Sequence, residues 1–492
     1  MRRVAEKDGP PLQGNYWMTV ALVLLALCPN IIVTTAIELL RPVLATGLHT
    51  SKNDLGLSPA FSNAGYAFGA VLAADLFQRF RQRHLYFICE GLFILGAVLS
   101  ALAPAAGFFI AGRIIQGFST GLLLVVAVPP LIQRFPVNRL PITAAFINIG
   151  FFGAVTVGPL VGGYVAQTGT WRVFFAVLAV LGALGFLIGF VLLPSQDPPN
   201  PNLPFDVTAL PLAAAGTGLT FYGVFGLAAQ EWTAPIVWIP IALGVLSLVA
   251  LLVIQYHKEE PLVPVKPLST SLPVMGLICA MIAGGAFVAL LELLETFLVQ
   301  ARGLKPLAVG ILFWPQVATI GLAALLFGLL FRTRFIPVLA LAGMLILALA
   351  AGLLTQLSLG SGNGFILIVA GLLGLGAGLT VSPGLFTAAF GVPSKQIGRT
   401  FALVELLRSA AAYLIGPVLL HFALSQGTTP RALVQGFHIT FWATFGLLVI
   451  GIAILVTLAL ISKVRLNKPN LEGWLNGDEQ ALESPPVAAA AR

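Results

Sequence analysis

The chain has 492 residues, of which 58% are hydrophobic and only 9% charged, where soluble domains carry roughly 25% charged residues. That excludes a water-soluble globular protein. The net charge of +8 lies in short clusters between apolar runs, not along one helical stripe, so a nucleic-acid partner is not expected.

A membrane-crossing helix needs about 20 mostly apolar residues, and such runs recur at 17–45, 57–77, 84–104, 107–130, 140–166, 171–194, 207–227, 234–256, 272–299, 306–331, 334–357, 364–389, 397–425 and 437–462. Fourteen spans of an all-α polytopic membrane protein are predicted. The first run is much longer than the apolar region of a secretory leader and is read as a retained helix. An even number of crossings puts both termini on one side. That side holds Arg2, Arg3, Lys7, Arg79, Arg81, Arg83, Arg134, Arg139, Lys258, Lys266, Arg332, Arg334, Lys395, Arg399, Lys463, Arg465, Lys468 and Arg492. The other holds only Lys52, Arg172, Arg302, Lys305 and Arg431, so the richer side is predicted to be cytoplasmic, in the cell (inner) membrane.

Two long connections, 194–206 with Pro194, Pro198, Pro199, Pro201 and Pro204, and 257–271 with Lys258, Glu259, Glu260 and Pro261, bracket the seventh and eighth runs. The predicted organisation is an N-terminal six-helix bundle (1–194), a two-helix insert with its linkers (195–271), a C-terminal six-helix bundle (272–463) and a disordered cytoplasmic tail (464–492). A repeat supports the pairing of bundles. Adding 257 carries Gly117 onto Gly374, Gly121 onto Gly378 and Pro136 onto Pro393, and nearly carries Gly158-Pro159 onto Gly416-Pro417. Two halves of related design with a substrate site between them are the usual build of secondary transporters.

The fourth run contains Arg113-Ile-Ile-Gln116-Gly117 followed by Gly121. A guanidinium inside a span requires a partner or water, and glycines four apart allow a neighbouring helix to approach closely. The fifth run reads Gly158-Pro159-Leu-Val-Gly162-Gly163, where a proline opens a backbone carbonyl and bends the helix.

On these motifs the sequence resembles the major facilitator superfamily, and within it the fourteen-span drug/proton antiporters. Arg113, Gln116 and Gly117 match that family's helix 4 pattern. Gly158, Pro159, Gly162 and Gly163 match its antiporter motif, with Ala145 and Ala154 in place of two glycines. Asp75, Arg79 and Arg81 match its gating motif, with Val71 and Gln78 where glycines are usual. Trp171-Arg172, Phe205-Asp206 and Glu260-Pro261-Leu262-Val263-Pro264 add further matches, and the likeness runs over about 15–465. One departure concerns coupling. Drug exporters of the family usually carry an aspartate in helix 1, and this chain reads Cys28-Pro29-Asn30-Ile31-Ile32-Val33-Thr34-Thr35 there. Glu38, two turns on, is either a substitute or a residue near the outer interface.

At 1.5 Å rise per residue, Glu38, Arg113 and Glu292 all lie roughly 9–11 Å from the outer helix ends, and they are expected to meet in one central cavity. Glu38 and Glu292 are each read as a proton-coupling carboxylate or as a structural partner of Arg113 or Arg41. Glu405 and Arg408, three apart, form a structural bridge or a proton relay. Glu295 is expected at a gate or interface, and Glu90 as a structural or snorkelling group. The substrate cavity is expected to include Asn30, Thr34, Gln116, Asn148 and Trp314, and Asp75 with Arg79 and Arg81 to form a cytoplasmic latch. Cys28, Cys89, Cys279 and the five His show no metal-ligand spacing, and no phosphate-binding loop is present, so neither metal nor cofactor is expected.

The expected protein is a monomeric, proton-coupled exporter of hydrophobic or drug-like small molecules, embedded in membrane lipid and not an enzyme. A lipid or glycolipid exporter or flippase of the same fold is the first alternative, and a nontransporting sensor or scaffold the second.

Overall fold

The computed structural model describes residues 14–487, apart from positions 196, 199, 202, 203, 228, 229, 232, 428 and 478. Arg2, Arg3, Lys7, Pro199 and Arg492 lie outside the described residues. The helices are α1 (Tyr16–Gly47), α2 (Leu57–Arg79), α3 (Gln82–Ala101), α4 (Ala106–Gln133), α5 (Val137–Thr168), α6 (Trp171–Leu192), α7 (Ala209–Gly226) and α8 (Pro235–His257). They continue as α9 (Ser271–Ala301), α10 (Pro306–Leu330), α11 (Ile336–Leu354), α12 (Asn363–Ala389), α13 (Ser394–Ser425), α14 (Pro430–Ile461) and a short α15 (Leu471–Asn476). Thirteen helices among the described residues are long and apolar enough to cross a membrane. The remaining predicted span, α2, is 23 residues long but is diluted by Ser58, Ser62, Asn63, Asp75 and Arg79 and is not among them.

Caps explain several boundaries. Asn15 Oδ1 accepts from Met18 N at 3.2 Å and starts α1. Thr429 caps Ala432 N ahead of Pro430, the pairing that favours a helix start, so α14 begins before its apolar stretch and takes in Arg431. α5 carries a π turn at Ile149–Gly153, and α9 carries two, at Cys279–Ala283 and Phe297–Ala301.

The sequence repeat is a packing repeat. Gly117 and Gly121 of α4 face Ser62 and Tyr66 of α2 so closely that a Cβ would strike their carbonyl oxygens. Gly374 and Gly378 of α12 do the same against α10, where a Cβ would lie 2.6 Å from Thr319 Oγ1 and 2.7 Å from Ala323 Cβ. Gly158 abuts α1 at Thr35, and Gly416 abuts α9, its Cβ position 2.9 Å from Glu292 Oε2. Pro136 and Pro393 each precede a 3₁₀ turn, Val137–Arg139 and Ser394–Gln396.

Helices α7 and α8 pack on each other through Gly216, Gly223 and Gly244. Their base is a polar knot. Asp206 accepts from Ala209 N (3.0 Å), Thr208 Oγ1 (2.8 Å) and Gln255 Nε2 (2.9 Å) and pairs with Lys258 Nζ at 2.7 Å. Burial pushes the Asp206 carboxyl up, but the Lys258 ammonium and these donors outweigh it and hold the group well below the usual carboxylate range.

Residues 462–487 after α14, apart from position 478, pack against the helices, whereas a disordered tail is expected over 464–492. Trp474 is fully buried, donates Nε1 to Val392 O at 2.8 Å and packs edge-on against Phe390. Ala481 N and Leu482 N both donate to Phe390 O, and Ser271 N donates to Pro485 O at 2.9 Å. The segment is fixed because the end of α12 leaves carbonyls without helical partners and the tail supplies the donors.

Candidate functional site: a chamber open at one end

A chamber of about 810 Å³ lies between the helices on either side of the repeat. Its walls come from α1 (Asn30, Thr34, Glu38, Arg41), α2 (Pro59, Asn63, Tyr66), α5 (Phe151, Phe152, Val155), α9 (Val288, Glu292, Glu295), α12 (Val381, Ser382, Leu385) and α13 (Glu405, Arg408, Tyr413, His421). Its lining continues to Asn53 and Gly56 between α1 and α2, Glu231 between α7 and α8, and Ser425 at the end of α13, so the mouth lies at that end of the bundle.

The opposite end is tied shut. Gln133 Nε2 donates to Ser394 O at 2.5 Å, joining the α4 end to the α13 start. Asn148 Nδ2 donates to Gly378 O at 2.9 Å and Asn148 Oδ1 accepts from Ser382 Oγ at 3.3 Å, joining α5 to α12. Tyr66 Oη donates to Glu405 Oε2 at 3.1 Å, joining α2 to α13 at the chamber floor. Asp75 and Arg79 pair at 2.5 Å, with Arg79 also donating to Pro204 O (2.8 Å) and lying 3.7 Å over the Phe205 ring. Arg81 pairs with Asp197 at 2.8 Å in an exposed position. These contacts anchor the linker ahead of α7 to the end of α2.

The three residues expected to share one cavity do not all meet. Glu38 and Glu292 line the chamber, whereas Arg113 is 1% exposed, outside its lining, and its Nη1 donates to Asn30 Oδ1 (3.0 Å) and Gln116 Oε1 (2.8 Å). Equal depth along three helices says nothing about the face each side chain occupies. Glu38 pairs instead with Arg41 at 2.6 Å on its own helix. Asn30 and Thr34 are in the chamber lining. Gln116 and Asn148 are not, being consumed by Arg113 and by the α5–α12 link. Trp314 is also outside it and 56% exposed on the bundle surface, where its apolar ring faces outward.

Three residues outside the expected cavity set also line the chamber. Glu295, expected at a gate or interface, is 3% exposed in the wall, and its Oε1 has no hydrogen-bond partner among the described residues. His421 and Arg41 also reach it. Glu90, far from snorkelling, is fully buried on α3 beside Tyr86. Glu405 keeps its predicted partner: Arg408 Nε donates to Oε1 at 3.2 Å and Oε2 at 3.1 Å. Tyr66, which no motif singled out, sits in a small-residue run whose only aromatic hydroxyl faces that pair.

The antiporter-type glycines are spacers. Gly162 lies against Ala36 of α1. Gly163 meets α10, where a Cβ would be 2.5 Å from Pro306 O, and Gly310 of α10 would in turn place a Cβ 2.6 Å from Pro159 O. Close backbone approach seals α5 against α10. The chamber carries Glu38, Glu231, Glu292, Glu295 and Glu405 against Arg41 and Arg408, five carboxyl groups to two guanidiniums. Among the described residues no group of three His, Cys, Asp or Glu is arranged to hold a metal.

The sequence model of the Major Facilitator Superfamily matches residues 23–417. The chain belongs to this superfamily. It is 25% identical over 450 residues to the uncharacterized MFS-type transporter YubD of Bacillus subtilis (strain 168), covering 88% of this chain and 86% of that protein. It is 23% identical over 319 residues to the lincomycin resistance protein LmrB of Listeria innocua serovar 6a, covering 65% and 67%. The crystal structure of the peptide transporter POT in complex with sulfate superposes with a TM-score of 0.63 at 18% identity, covering 90% of this chain and 94% of that one, a likeness of fold. The protein is a multi-pass membrane transporter of the major facilitator fold.

Proposed function

We propose that this transporter is a proton-coupled exporter of hydrophobic, drug-like molecules. It works by alternating access of the bundles 1–194 and 272–463, with the insert 195–271 between them. In this reading the protein sits in the cell membrane with both termini cytoplasmic, the arginine-rich end inside and the chamber mouth outside. The observation that carries it is the chamber itself: about 810 Å³, within the range of small-molecule sites, with apolar stretches of Phe, Val, Leu and Ile interleaved with polar residues and carboxyl groups. The name of the lincomycin resistance relative supports the same cargo class.

The helix 1 position usually occupied by an acid contributes Asn30, a neutral acceptor for Arg113, so that pair offers no exchangeable carboxyl proton. Coupling falls instead to Glu38, Glu292 and Glu295, three carboxyl groups in the chamber wall where Arg41, paired with Glu38, is the neighbouring guanidinium. One guanidinium cannot balance three carboxylates in a poorly solvated site, so protons or a cationic ligand relieve the excess. Proton entry from the mouth and ligand exit through it then compete for one set of groups. Asp75, Arg79 and Arg81 serve in this reading as the latch of the closed end.

Transport of a fluorescent dye in proteoliposomes with an imposed pH gradient tests the proposal. Uptake into everted vesicles should follow the gradient and fall when Glu292→Gln is introduced. Dye movement indifferent to the gradient would reject proton coupling.

A further inference from the structure

The two seams of the chamber are closed by different means. Along α5 and α10 the backbones meet directly through Gly163 and Gly310. Along the other seam, α7 is interposed between α2 and α13 near the mouth. On one side of α7, the Phe225 ring lies against Gly56, where a Cβ would be 3.2 Å away, and Tyr222 approaches Phe61 with ring centroids 6.4 Å apart. On the other side, Phe221 stacks on Tyr413 of α13 with centroids 4.2 Å apart and planes 12° from parallel. Both flanking helices, and Tyr413 itself, line the chamber.

The outer turn of α7 reaches the same space: Val224, Phe225 and Leu227 are part of the lining. Its partner α8 faces the other way, with Ile239, Leu246 and Val253 each more than half exposed, as expected of a lipid-facing helix. One member of the pair is therefore wall and the other its shield. Removal of the pair would leave the α2/α13 seam open to lipid at the level of the mouth.

We propose that the two-helix insert is a working wall of the substrate route and that Phe225 is a residue that selects substrates by size and shape. Phe225 is half-buried, its ring edge lies against Gly56, and both residues line the chamber, so the volume of the ring borders the substrate space. The inference rests on the reading of the chamber as the substrate route.

The test uses full-length protein in which Cys28, Cys89 and Cys279 are replaced by Ala and single cysteines are placed by Phe225→Cys, Gln230→Cys or, as a control exposed on α7 outside the lining, Ala214→Cys. A membrane-impermeant maleimide should modify the first two at least about tenfold faster than the control, since thiolate formation requires water. Tetraphenylphosphonium should slow that modification. Phe225→Ala should change the ratio of tetraphenylphosphonium to ethidium transport by about tenfold, the effect expected of one altered apolar contact. Labelling of all three positions at the same slow rate overturns the wall, and an unchanged ratio in an active variant overturns the selecting role. If the unsubstituted chain moves neither probe, the exporter reading fails, while the labelling rates still decide whether α7 lines the chamber.

Discussion

Replacing Tyr66 by Phe removes one hydroxyl and leaves the ring in place. That hydroxyl makes the direct hydrogen bond between α2 and the Glu405–Arg408 pair of α13 at the chamber floor. Tyr66 is 8% exposed and Glu405 4%, so the bond is largely shielded from water in the closed-floor state. A hydrogen bond to a charged group contributes about 1.5–3 kcal/mol. Because Arg408 still holds Glu405 in the variant, no charge is orphaned, and the lower part of that range, about 1.5–2 kcal/mol, applies. In the alternating-access reading the bond exists only while the floor is shut. Its loss then raises the floor-open population about 10- to 30-fold.

The assay places a single cysteine at Ser409, which lines the chamber, in the background free of other cysteines. Its alkylation by an impermeant maleimide is timed in vesicles of both orientations. From the mouth side the rate should fall slightly. From the arginine-rich side, where the reagent must pass the floor, it should rise by the factor above. A folded Tyr66→Phe variant whose rate from that side stays within about twofold of the parent would refute the claim that this bond holds the floor.

Asn30→Leu deprives the buried Arg113 of one of its two acceptors and should lower stability by about 1–3 kcal/mol, read as a drop in Tm of detergent-solubilised protein. Asp206→Asn should cost about 1–2 kcal/mol at pH 7, since Lys258 is partly exposed and screening weakens the pair. The native Asp206 carboxyl is depressed, so its contribution is present above the ordinary carboxylate range and is lost as pH falls through the lowered native value. Melting curves of parent and variant should therefore converge only below about pH 4. Trp474→Ala empties a fully buried site under Phe390 and should loosen the tail by about 3–5 kcal/mol, seen as faster protease cleavage within 464–487 while the membrane-embedded part stays intact.

Much of this architecture is legible in the sequence because a bilayer demands it: spans show as long apolar runs, and close helix contacts show as spaced glycines. The 257-residue offset carries real geometry, since Gly117 and Gly374 perform the same task in the two α2/α4-like pairs. Depth also transfers from sequence, because rise per residue is constant. Rotation about the helix axis does not. Glu38, Arg113 and Glu292 were matched in depth, yet Arg113 points to Asn30 and Gln116 while the other two face the chamber. In a soluble helix the polar face announces itself, but a membrane helix is apolar toward lipid and toward its neighbours alike, so Trp314 on the surface and Phe225 in the wall look the same in the string. The azimuth becomes readable only where a polar group must be satisfied by a named partner. Tyr66, facing Glu405 across the two bundles, is such a case: its hydroxyl has meaning only once α13 is laid beside α2, which is why the contact that closes the floor left no mark in any local motif.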